Sequence, residues 1–260
     1  MLDSIVLMPA LATLSTVDAV LPLRVRYRQE MNCQIVHDSI HRRNGWTLTY
    51  MCTLGGTIAG FASVAIAGPW QDKPTMFEFY VLPEHRARAF DLFEAFLSAS
   101  GARFMEIQSS DVLLTVMLHT YARDIWSEKI VFHDAIGTAL PPHGAVVHHV
   151  TSDQETRSAI AHRQGGTECL LQLDGETVAT GGLMFHYNVP YTDIYMEVAE
   201  PFRRRGFGSY FVQELKRLAY ELESVPCARC NPSNIPSRKT LQKAGFVPYA
   251  HILNGAIRAE

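Results

Sequence analysis

Residues 203–208 read Arg-Arg-Arg-Gly-Phe-Gly, a basic turn between two predicted elements. Residues 193–198 are rich in strand formers, whereas residues 209–223 carry apolar side chains at the three- and four-residue spacings of an amphipathic helix. The first N–H groups of a helix have no partner within it, and the helix dipole favours negative charge there. Glycines permit positive φ and close backbone approach, and arginine matches phosphate geometry. The pattern therefore predicts a phosphate site, of a kind suited to a diphosphate.

Comparison of the turn with known phosphate-binding motifs restricts the class of ligand that it can bind. No Walker string follows a predicted strand, and the turn lacks the third glycine of a Rossmann fingerprint. The turn does read Arg-x-x-Gly-x-Gly after Val-Ala-Glu-Pro, and in this it resembles the GNAT superfamily of acyl-CoA-dependent N-acetyltransferases. The resemblance implies that the turn holds the pyrophosphate of acetyl-CoA. The residues it assigns to this ligand are Val198, Arg203, Arg204, Arg205, Gly206, Phe207, Gly208 and Ser209.

A second motif lies one helix and one strand further along the chain. It reads Asn231-x-x-Asn234-x-x-Ser237 and precedes a predicted helix that ends in Lys-Ala-Gly-Phe at 243–246. This is similar to the Asn-x-x-Asn-x-x-Ser element of the same family, which implies that Asn231 and Asn234 flank the pantetheine arm. The resemblance covers residues 150–255 and is more specific for fold and ligand than for the acceptor.

Acyl transfer to an amine needs a group that removes a proton. The thioester is already activated, but an alkylamine is mostly protonated at neutral pH, so a side chain or a water chain must take its proton. In the family the base is often a glutamate on the strand before the turn. Glu197 is therefore the first candidate, with Asp193 and, less directly, Tyr195 as alternatives. Because Glu197 and Val198 have opposite strand parity, Glu197 also fits the description of a surface carboxylate.

The group that protonates the leaving thiolate departs from a common family pattern. Many members place a tyrosine four positions before the Gly of Gly-Phe, where this chain has Leu241. Some members resembling the ribosomal-protein acetyltransferases use the serine of Asn-x-x-Ser instead, which makes Ser237 the candidate here. Helix N-capping accounts for a serine at this position equally well, and a coenzyme A thiolate can leave without an acid.

The N-terminal half contains a degenerate copy of the same pattern. Ala89 stands where the second copy has Gly206, and Asp91 stands where it has Gly208. A Cβ atom in each place would block a diphosphate, and the Asp91 carboxylate would occupy the anion site while stabilising the helix start. Further matches place Val81 on Val198, Arg86 on Arg203, Gln108 on Asn231, Asp111 on Asn234, and the turn at 54–60 on that at 173–179.

The fold class that follows is α/β (α+β), with two tandem GNAT-like units, each a mixed, mostly antiparallel twisted sheet flanked by helices. A Pro-Pro-His-Gly break within 138–146 is taken as the link, which predicts a degenerate domain at 1–140 and an acetyl-CoA-binding domain at 141–260. The coarse pattern predicts strands at 46–53, 58–66 and 75–81, and a helix at 89–100. Residues 16–30 are expected to be helical but interrupted at Pro22, and a capping box is expected at 152–155 before a helix at 156–162.

Composition favours a cytoplasmic enzyme without nucleic-acid or membrane partners. Charged residues make up 19% of the chain and the formal net charge is −3, so the arginines at 203–205 are a local cluster. No apolar run is long enough to span a membrane, and the first residues lack the basic start of a secretion signal. Five cysteines without framework spacing fit a reducing compartment.

Two features that suggest a metal have simpler explanations. Cys227 and Cys230 have Cys-x-x-Cys spacing, but they lie on a predicted strand, where residues three apart face opposite sides. His148 and His149 have no acidic residue or cysteine beside them in the sequence that could complete a metal site. We therefore expect no metal site.

Three hypotheses describe the function. The first is an N-acetyltransferase that transfers acetyl from acetyl-CoA to a primary amine of a small molecule or peptide. The second is a coenzyme A-binding sensor or pseudoenzyme. The third, compatible with both, gives the N-terminal unit a docking or homodimerisation role. The sequence does not define the acceptor or exclude longer acyl groups.

Overall fold

The structure, a computed structural model, describes residues 8–156 and 165–258. The chain forms two compact units. The first comprises Met1–Asn32, Ile40–Trp126 and Leu253–Glu260, and the second comprises Cys33–Ser39 and Ser127–Ile252. These units differ from the predicted ranges 1–140 and 141–260, because residues 33–39 and 127–140 belong to the second unit and residues 253–260 to the first.

The first unit is a sheet with helices packed against it. Its strands run in the order β1-β2-β3-β4-β5, antiparallel except for the parallel pair β4–β5. The strands and helices that lie wholly in this unit are β1 (Ala10–Ser15), α1 (Leu21–Met31), β2 (Thr47–Leu54), β3 (Thr57–Ala65), β4 (Thr75–Val81), α2 (Ala89–Ser100), β5 (Phe104–Gln108) and α3 (Val112–Tyr121). Short 3₁₀ helices cover Asp38–Arg42, Gly68–Trp70 and Pro83–Arg88.

An apolar core fixes α2 on one face of this sheet. The Phe79 ring on β4 lies 5.0 Å from Phe93 and 6.4 Å from Phe96, both on α2. All three rings are almost completely buried. The three- and four-residue spacing of apolar residues in α2 produces this face, as the sequence predicts.

A buried ion cluster lies on the opposite face of β4. The Glu78 carboxylate accepts hydrogen bonds from Arg24 at 3.3 Å and contacts His41 Nε2 at 2.8 Å. Burial by itself raises the pKa of this carboxyl, but Arg24 and His41 hold that pKa well below its usual range. A buried group of charged and polar side chains therefore packs against this face of β4.

The second unit contains the motifs that resemble an acyl-CoA site. Its strands run in the order β6-β11-β10-β9-β8-β7, with β10–β11 parallel and the other pairs antiparallel. Its elements are β6 (Ala122–Asp134), β7 (Val146–His149), β8 (Cys169–Leu173), β9 (Glu176–Met184), β10 (Tyr191–Val198), a 3₁₀ turn at Glu200–Phe202, α4 (Phe207–Glu221), β11 (Val225–Cys230), α5 (Ile235–Lys243) and β12 (Phe246–Ile257). The bounds of β6 and β12 cross the division between the units.

The core of the second unit lies between its sheet and the helices α4 and α5. Phe211, Val212 and Leu215 on α4 and Leu241 on α5 join Phe132 of β6 in one buried cluster. Residues 130–133 of β6 pair antiparallel with β11, with Cys227 opposite His133. Residues 127–134 of this strand, which follows α3 in the chain, therefore belong to the second unit.

The two units repeat the same backbone hydrogen bonds at the positions aligned by sequence. Arg86 Nε donates to Val81 O at 3.2 Å in the first unit, and Arg203 Nε donates to Val198 O at 3.0 Å in the second. The positions aligned by sequence thus also make matching atomic contacts.

The hairpins and helix starts of the two units match as well. Gly55 and Gly56 have φ values of 55° and 86°, and Asp174 and Gly175 have 51° and 84°. These pairs of left-handed residues define the same tight turn between two strands. Each α-helix that follows the fifth strand of its repeat also begins at the aligned residue, Asp111 or Asn234.

The remaining predictions about local structure have mixed outcomes. The capping box is confirmed, because Ser152 N–H donates to Glu155 at 3.0 Å and Glu155 N–H donates back to Ser152 at 3.2 Å. The predicted helix at 156–162 lies mostly outside the described residues. Pro22 does not interrupt α1; it lies in the first turn, where a missing N–H costs no hydrogen bond.

The five cysteines are free and buried. Cys227 and Cys230 share β11 but join different apolar clusters on its two faces. Among the described residues, no group of three or more His, Cys, Asp or Glu side chains is arranged to hold a metal. Within the same residues, no helix is long and apolar enough to cross a membrane.

Candidate active site

The basic turn between β10 and α4 adopts the conformation that its glycine allows. Gly206 is the N-cap residue of α4 with φ +94°, and Arg204 also has a positive φ of 62°. Arg203 is extended, and its Nε anchors the turn by donating to Val198 O at 3.0 Å. The left-handed N-cap lets the chain reverse directly into the helix.

The N-terminus of α4 has free donors facing the turn. Gly206 supplies no side-chain cap, and the first helical bond is donated by Tyr210 N–H to Gly206 O at 3.2 Å. The Ser209 hydroxyl donates to the same carbonyl at 3.0 Å, so it does not cap the amides. The amides of the first turn and the helix dipole therefore form an anion-binding end.

Gly208 allows the start of α4 to lie close to the end of β10. A Cβ atom on Gly208 would lie 3.2 Å from Val198 Cγ2, 3.3 Å from Met196 Cε and 3.4 Å from Thr240 Cγ2. These distances are tighter than ordinary van der Waals contact, so a larger residue would displace its neighbours. The cradle for a phosphate is therefore shaped by both glycines of the motif.

The three arginines have different surroundings. Arg205 stacks between the Phe202 and Phe207 rings, with its Cζ 5.4 Å and 5.2 Å from their centroids. Arg203 also forms a loose ion pair with Glu197 at 3.6 Å. Since that pair is mostly exposed, it contributes little to stability, and the arginine can turn toward a ligand.

Strands β10 and β11 separate next to this turn. Their parallel pairing comprises Tyr191–Val225, Thr192–Pro226 and Asp193–Cys227, whereas β10 continues to Val198 and β11 to Cys230. Beyond Asp193 the described residues show no further pairing of β10 with β11. The separated edges form a cleft in which an extended ligand can bond to strand backbone.

A buried polar cluster lies where the two strands separate. Asp193 Oδ2 accepts a hydrogen bond from Arg229 Nε at 3.1 Å and lies 3.3 Å from His186 Nε2. Asp193 Oδ1 makes no hydrogen bond with the described residues. Burial, and after it the Asp193 charge, raises the pKa of the neighbouring Tyr187 phenol well above its ordinary value. A buried carboxylate and a buried phenol thus lie together where the two strands separate.

Glu197 has a different environment from Asp193, although both lie on the same face of β10. Its side chain is 79% exposed, whereas that of Asp193 is 3% exposed. The third candidate base is Tyr195, and its hydroxyl already donates a hydrogen bond to Thr167 O at 3.1 Å. Of the three side chains considered as bases, Asp193 alone lies buried at the separation of the strands.

The second motif lies at the start of α5. Asn234 is the N-cap of α5, and its side chain accepts from Ser237 N–H at 3.1 Å. Asn231 Oδ1 accepts from the Ser233 amide at 2.9 Å. Asn234, rather than Ser237, therefore caps this helix, and the alternative explanation of the serine does not hold. Burial raises the pKa of the Cys230 thiol, while the Ser237 side chain lowers it by hydrogen bonding.

The motifs in the sequence do not point to His186, Tyr187 or Arg229. His186 and Tyr187 follow β9, and Arg229 lies between two cysteines on β11. The available signal was a charged residue within a short apolar strand, since an arginine that is partly buried needs a charged partner. Leu241, which stands where many family members have a tyrosine, is buried in the core.

The corresponding turn of the first unit lacks the anion-binding geometry. Ala89 has φ −63° in place of the left-handed Gly206, so α2 begins without the same reversal. Arg88 is paired with Asp91 in the first turn of α2. The carboxylate thus engages the arginine and places negative charge where a phosphate would have to bind.

Fold and site together define a mixed α/β protein with a strand, a glycine-bearing basic turn, a helix and a parted pair of parallel strands. Residues 134–246 match the model of the Acetyltransferase (GNAT) family, so this part of the chain forms a GNAT acetyltransferase domain. A domain of this family implies acyl transfer from an acyl-CoA.

Solved structures share the fold over nearly the whole chain. An acetyltransferase from the GNAT family of Colwellia psychrerythraea has a TM-score of 0.68 at 12% identity, over 95% of this chain and 100% of that one. A tandem GNAT protein from the clavulanic acid biosynthesis pathway has 0.63 at 14%, over 96% and 99%. A GCN5-related N-acetyltransferase from Sphaerobacter thermophilus has 0.58 at 14%, over 96% of each. No curated protein sequence matches this chain significantly.

Proposed function

We propose that this protein is an N-acetyltransferase that transfers the acetyl group of acetyl-CoA to a primary amine, and that the second unit does the chemistry. The observation that carries the proposal is the separation of β10 from β11 beyond Asp193, next to the N-terminus of α4. The helix N-terminus supplies an anion-binding cradle and Asp193 supplies a buried carboxylate, and the reaction requires groups of both kinds.

The residues fit an acyl-CoA. The pyrophosphate would be held by the first-turn amides of α4 and by the arginines at 203–205, because Gly206 gives the turn its left-handed reversal and Gly208 lets the helix start lie close to β10. The backbone of β10 near Val198 would hold the pantetheine and donate to the oxyanion. Asn231 and Asn234 would border the arm at the start of α5. When bound, acetyl-CoA supplies an activated acyl group.

The proposed proton route begins at Asp193. An amine that enters the cleft as an ammonium ion gives one proton to the Asp193 carboxylate, with His186 beside it and 23% exposed as the way to solvent. Arg229 holds the carboxylate in place through its 3.1 Å hydrogen bond. Glu197, at the exposed end of the cleft, is the alternative base. The neutral amine can then attack the carbonyl carbon.

Ser237 is the proposed proton donor to the departing thiolate. The reaction forms a C–N bond and breaks a C–S bond. After attack the nitrogen loses its second proton to solvent, and the thiolate takes up one proton from Ser237, which regains one from solvent. A thiol with a pKa of roughly 8.5 is a good leaving group near neutral pH, so loss of Ser237 should cost less activity than loss of the base. The acidic side chains on this face suit a cationic amine on a small molecule or peptide.

The first unit is proposed to be a degenerate copy without an acyl-CoA site. The Ala89 backbone and the Asp91–Arg88 pair support this assignment. The ion cluster at Glu78 gives the corresponding strand a structural role.

Thermal unfolding with and without acetyl-CoA tests the proposal. At a ligand concentration of a hundred times Kd, binding should stabilise the wild type by about 2.7 kcal/mol. For a chain of this size that corresponds to a shift of several degrees, at about 2–4 °C per kcal/mol. In Gly206→Asp the shift should disappear, because the new carboxylate lies in the anion site.

Gly206→Ala is the matched control. Both variants place a Cβ atom in a backbone with φ +94°, so they share the strain and differ in the charge. The alanine variant should keep a measurable shift, and the ligand-free proteins should melt at similar temperatures. No shift in the wild type would refute acyl-CoA binding, and a full shift in Gly206→Asp would refute the location.

A further inference from the structure

A segment before β7 follows the length of α4 and ends at the proposed phosphate site. We call residues 134–145 the strap. At its first end, Asp134 pairs with Lys216 Nζ at 2.6 Å and accepts a hydrogen bond from Tyr220 OH at 2.8 Å. These two residues lie toward the C-terminal end of α4. The strap therefore begins at the end of the helix that lies far from the turn.

Two further contacts hold the strap on the same helix. Lys216 Nζ also donates to Ile136 O at 3.0 Å. Nearer the start of the helix, Leu140 N–H donates to the Gln213 side chain at 2.7 Å. Positions 213, 216 and 220 are three and four residues apart, which places them along one stripe of α4. The strap thus advances along that stripe toward the helix N-terminus.

The strap ends by placing an imidazole beside the N-cap of α4. A tight turn, closed by the 2.9 Å bond from Ala145 N–H to Pro142 O, holds His143 with φ +53°. A Cβ atom on Gly206 would lie only 2.7 Å from His143 Nε2. The His143 ring meets Phe207 edge-on, with their centroids 6.0 Å apart. Gly206 therefore leaves room for this ring as well as providing the positive φ.

The His143 side chain is a donor without an evident structural task. The residue is exposed, and its imidazole makes no hydrogen bond with the described residues. Its position against Gly206 and Phe207 is nevertheless set by the contacts along the strap. An imidazole N–H near the first-turn amides adds a further donor for an anion that those amides bind. Phosphate oxygens are the acceptors that this arrangement suits.

We infer that His143 is a ligand of the pyrophosphate of acyl-CoA, positioned by the strap. This inference rests on the proposed function and adds a residue that lies outside the Arg-x-x-Gly-x-Gly turn. The strap then has a role in binding the ligand, in addition to linking β6 to β7. The contact involves the diphosphate, which coenzyme A and dephospho-coenzyme A share and pantetheine lacks.

Calorimetric titration of the full chain with these three compounds tests the inference. His143→Ala should weaken the binding of coenzyme A and dephospho-coenzyme A alike, by about tenfold or more, since a hydrogen bond to a charged group is lost. Binding of pantetheine should be unchanged. His143→Gln, which keeps a donor, should restore part of the affinity. His148→Ala, an exposed histidine on β7, is the control and should bind as the wild type does.

The outcomes separate the inference from the proposed function. If the wild type does not bind coenzyme A, the proposed function fails. If the wild type binds and His143→Ala binds equally well, only the inference fails. Tighter binding by His143→Ala would show that the imidazole obstructs the site and would also overturn it. A loss confined to coenzyme A would point to the 3′-phosphate and refute the pyrophosphate contact.

Discussion

The two copies of the phosphate turn differ in backbone conformation at one aligned position. Gly206 has φ +94° in the second unit, whereas Ala89 has −63° in the first. An alanine in the left-handed region is disfavoured by contact of its Cβ with the backbone, so the first copy starts its helix differently. The loss of a glycine therefore changes the shape of the site as well as its volume.

Two carboxylates on β10 are distinguished by their environments, and kinetics can tell them apart. Asp193→Asn should reduce kcat/KM for amine acetylation about a hundredfold or more, because a general base typically contributes 10²–10⁴-fold. Glu197→Gln, an exposed matched change on the same strand, should leave kcat/KM within a few-fold of the wild type. Initial rates over a range of pH, with coenzyme A titrations of each variant, provide the measurement.

Binding measurements distinguish a loss of catalysis from a loss of the folded protein in these variants. Asp193→Asn removes a charge from a buried pair, so coenzyme A affinity and the melting temperature must be measured beside the rates. If Glu197→Gln loses activity while Asp193→Asn retains it, Glu197 is the base. If both variants and the wild type bind coenzyme A without acetylating any amine, the protein is a coenzyme A sensor.

A buried carboxyl in the first unit should make stability depend on pH. Burial raises the pKa of Asp111 to about 6, although Leu114 N–H and Tyr27 OH donate to it. Since the folded pKa lies above the unfolded value, this group stabilises the fold below about pH 4 and loses that contribution as pH rises through 6. Two pKa units correspond to about 2–3 kcal/mol.

Asp111→Asn isolates this effect, because asparagine also caps helices well. Urea unfolding of both proteins between pH 4 and 7 should show the variant gaining stability relative to the wild type as pH rises, by about 2–3 kcal/mol. A constant difference across this range would mean that Asp111 has the same pKa in both states.

At the scale of elements, α4 joins the cradle, the core and the strap. Its apolar stripe packs on the sheet, its N-terminus forms the anion site, and its polar stripe holds the strap through Gln213, Lys216 and Tyr220. The amphipathic pattern predicts the apolar stripe. It does not reveal the second task, because Lys216 and Gln213 read as ordinary surface residues although both are buried.

The Lys216–Asp134 pair should be important for the stability of the second unit. Lys216 is 6% exposed and Asp134 is 8% exposed, so Lys216→Met leaves a buried carboxylate without its cation. Removal of one partner from such a pair costs about 3–5 kcal/mol. Chemical denaturation should show a loss of this size, and coenzyme A affinity should fall as the strap loosens.

The double variant provides the check. Lys216→Met with Asp134→Asn removes both charges and should recover most of the lost stability, because uncompensated burial is the main cost. If the double variant is as unstable as the single one, the hydrogen bonds from Lys216 to Ile136 O and Ala244 O account for the loss instead.

Local elements differ in how well the sequence predicts them. The strand at 75–81 and the helix at 89–100 are confirmed at their predicted bounds. Strands β1, β6, β7 and β12 are absent from the prediction. In β6, buried Val131 and Phe132 are adjacent, so regular alternation is lost, and pairing with β11 depends on residues nearly a hundred positions away.

At the scale of the whole molecule, neither half of the chain contains a complete unit. Residues 127–134 of β6 belong to the second unit, and residues 253–257 of β12 belong to the first. The link at 138–146 predicted from the Pro-Pro-His-Gly break coincides with most of the strap. A boundary there is therefore natural for the duplication, although it does not separate the compact units.

Cleavage of the chain within the strap tests whether each compact unit needs residues from both halves of the chain. A specific protease site inserted after Gly137, an exposed residue, should yield fragments that still elute together under native conditions, because each holds a strand of a unit completed by the other. Urea should separate them. Fragments that separate without denaturant would contradict this division of the chain.

The sequence by itself determined the basic turn, the capping box at 152–155 and the motifs that resemble the GNAT family, because these depend on φ preferences and hydrogen bonds between residues a few positions apart. Only the tertiary structure decided that Asp193 is buried against Arg229 and His186, and that His143 lies on Gly206. Such contacts join distant segments, and their formation depends on which surfaces the whole fold buries. No spacing along the chain encodes that choice.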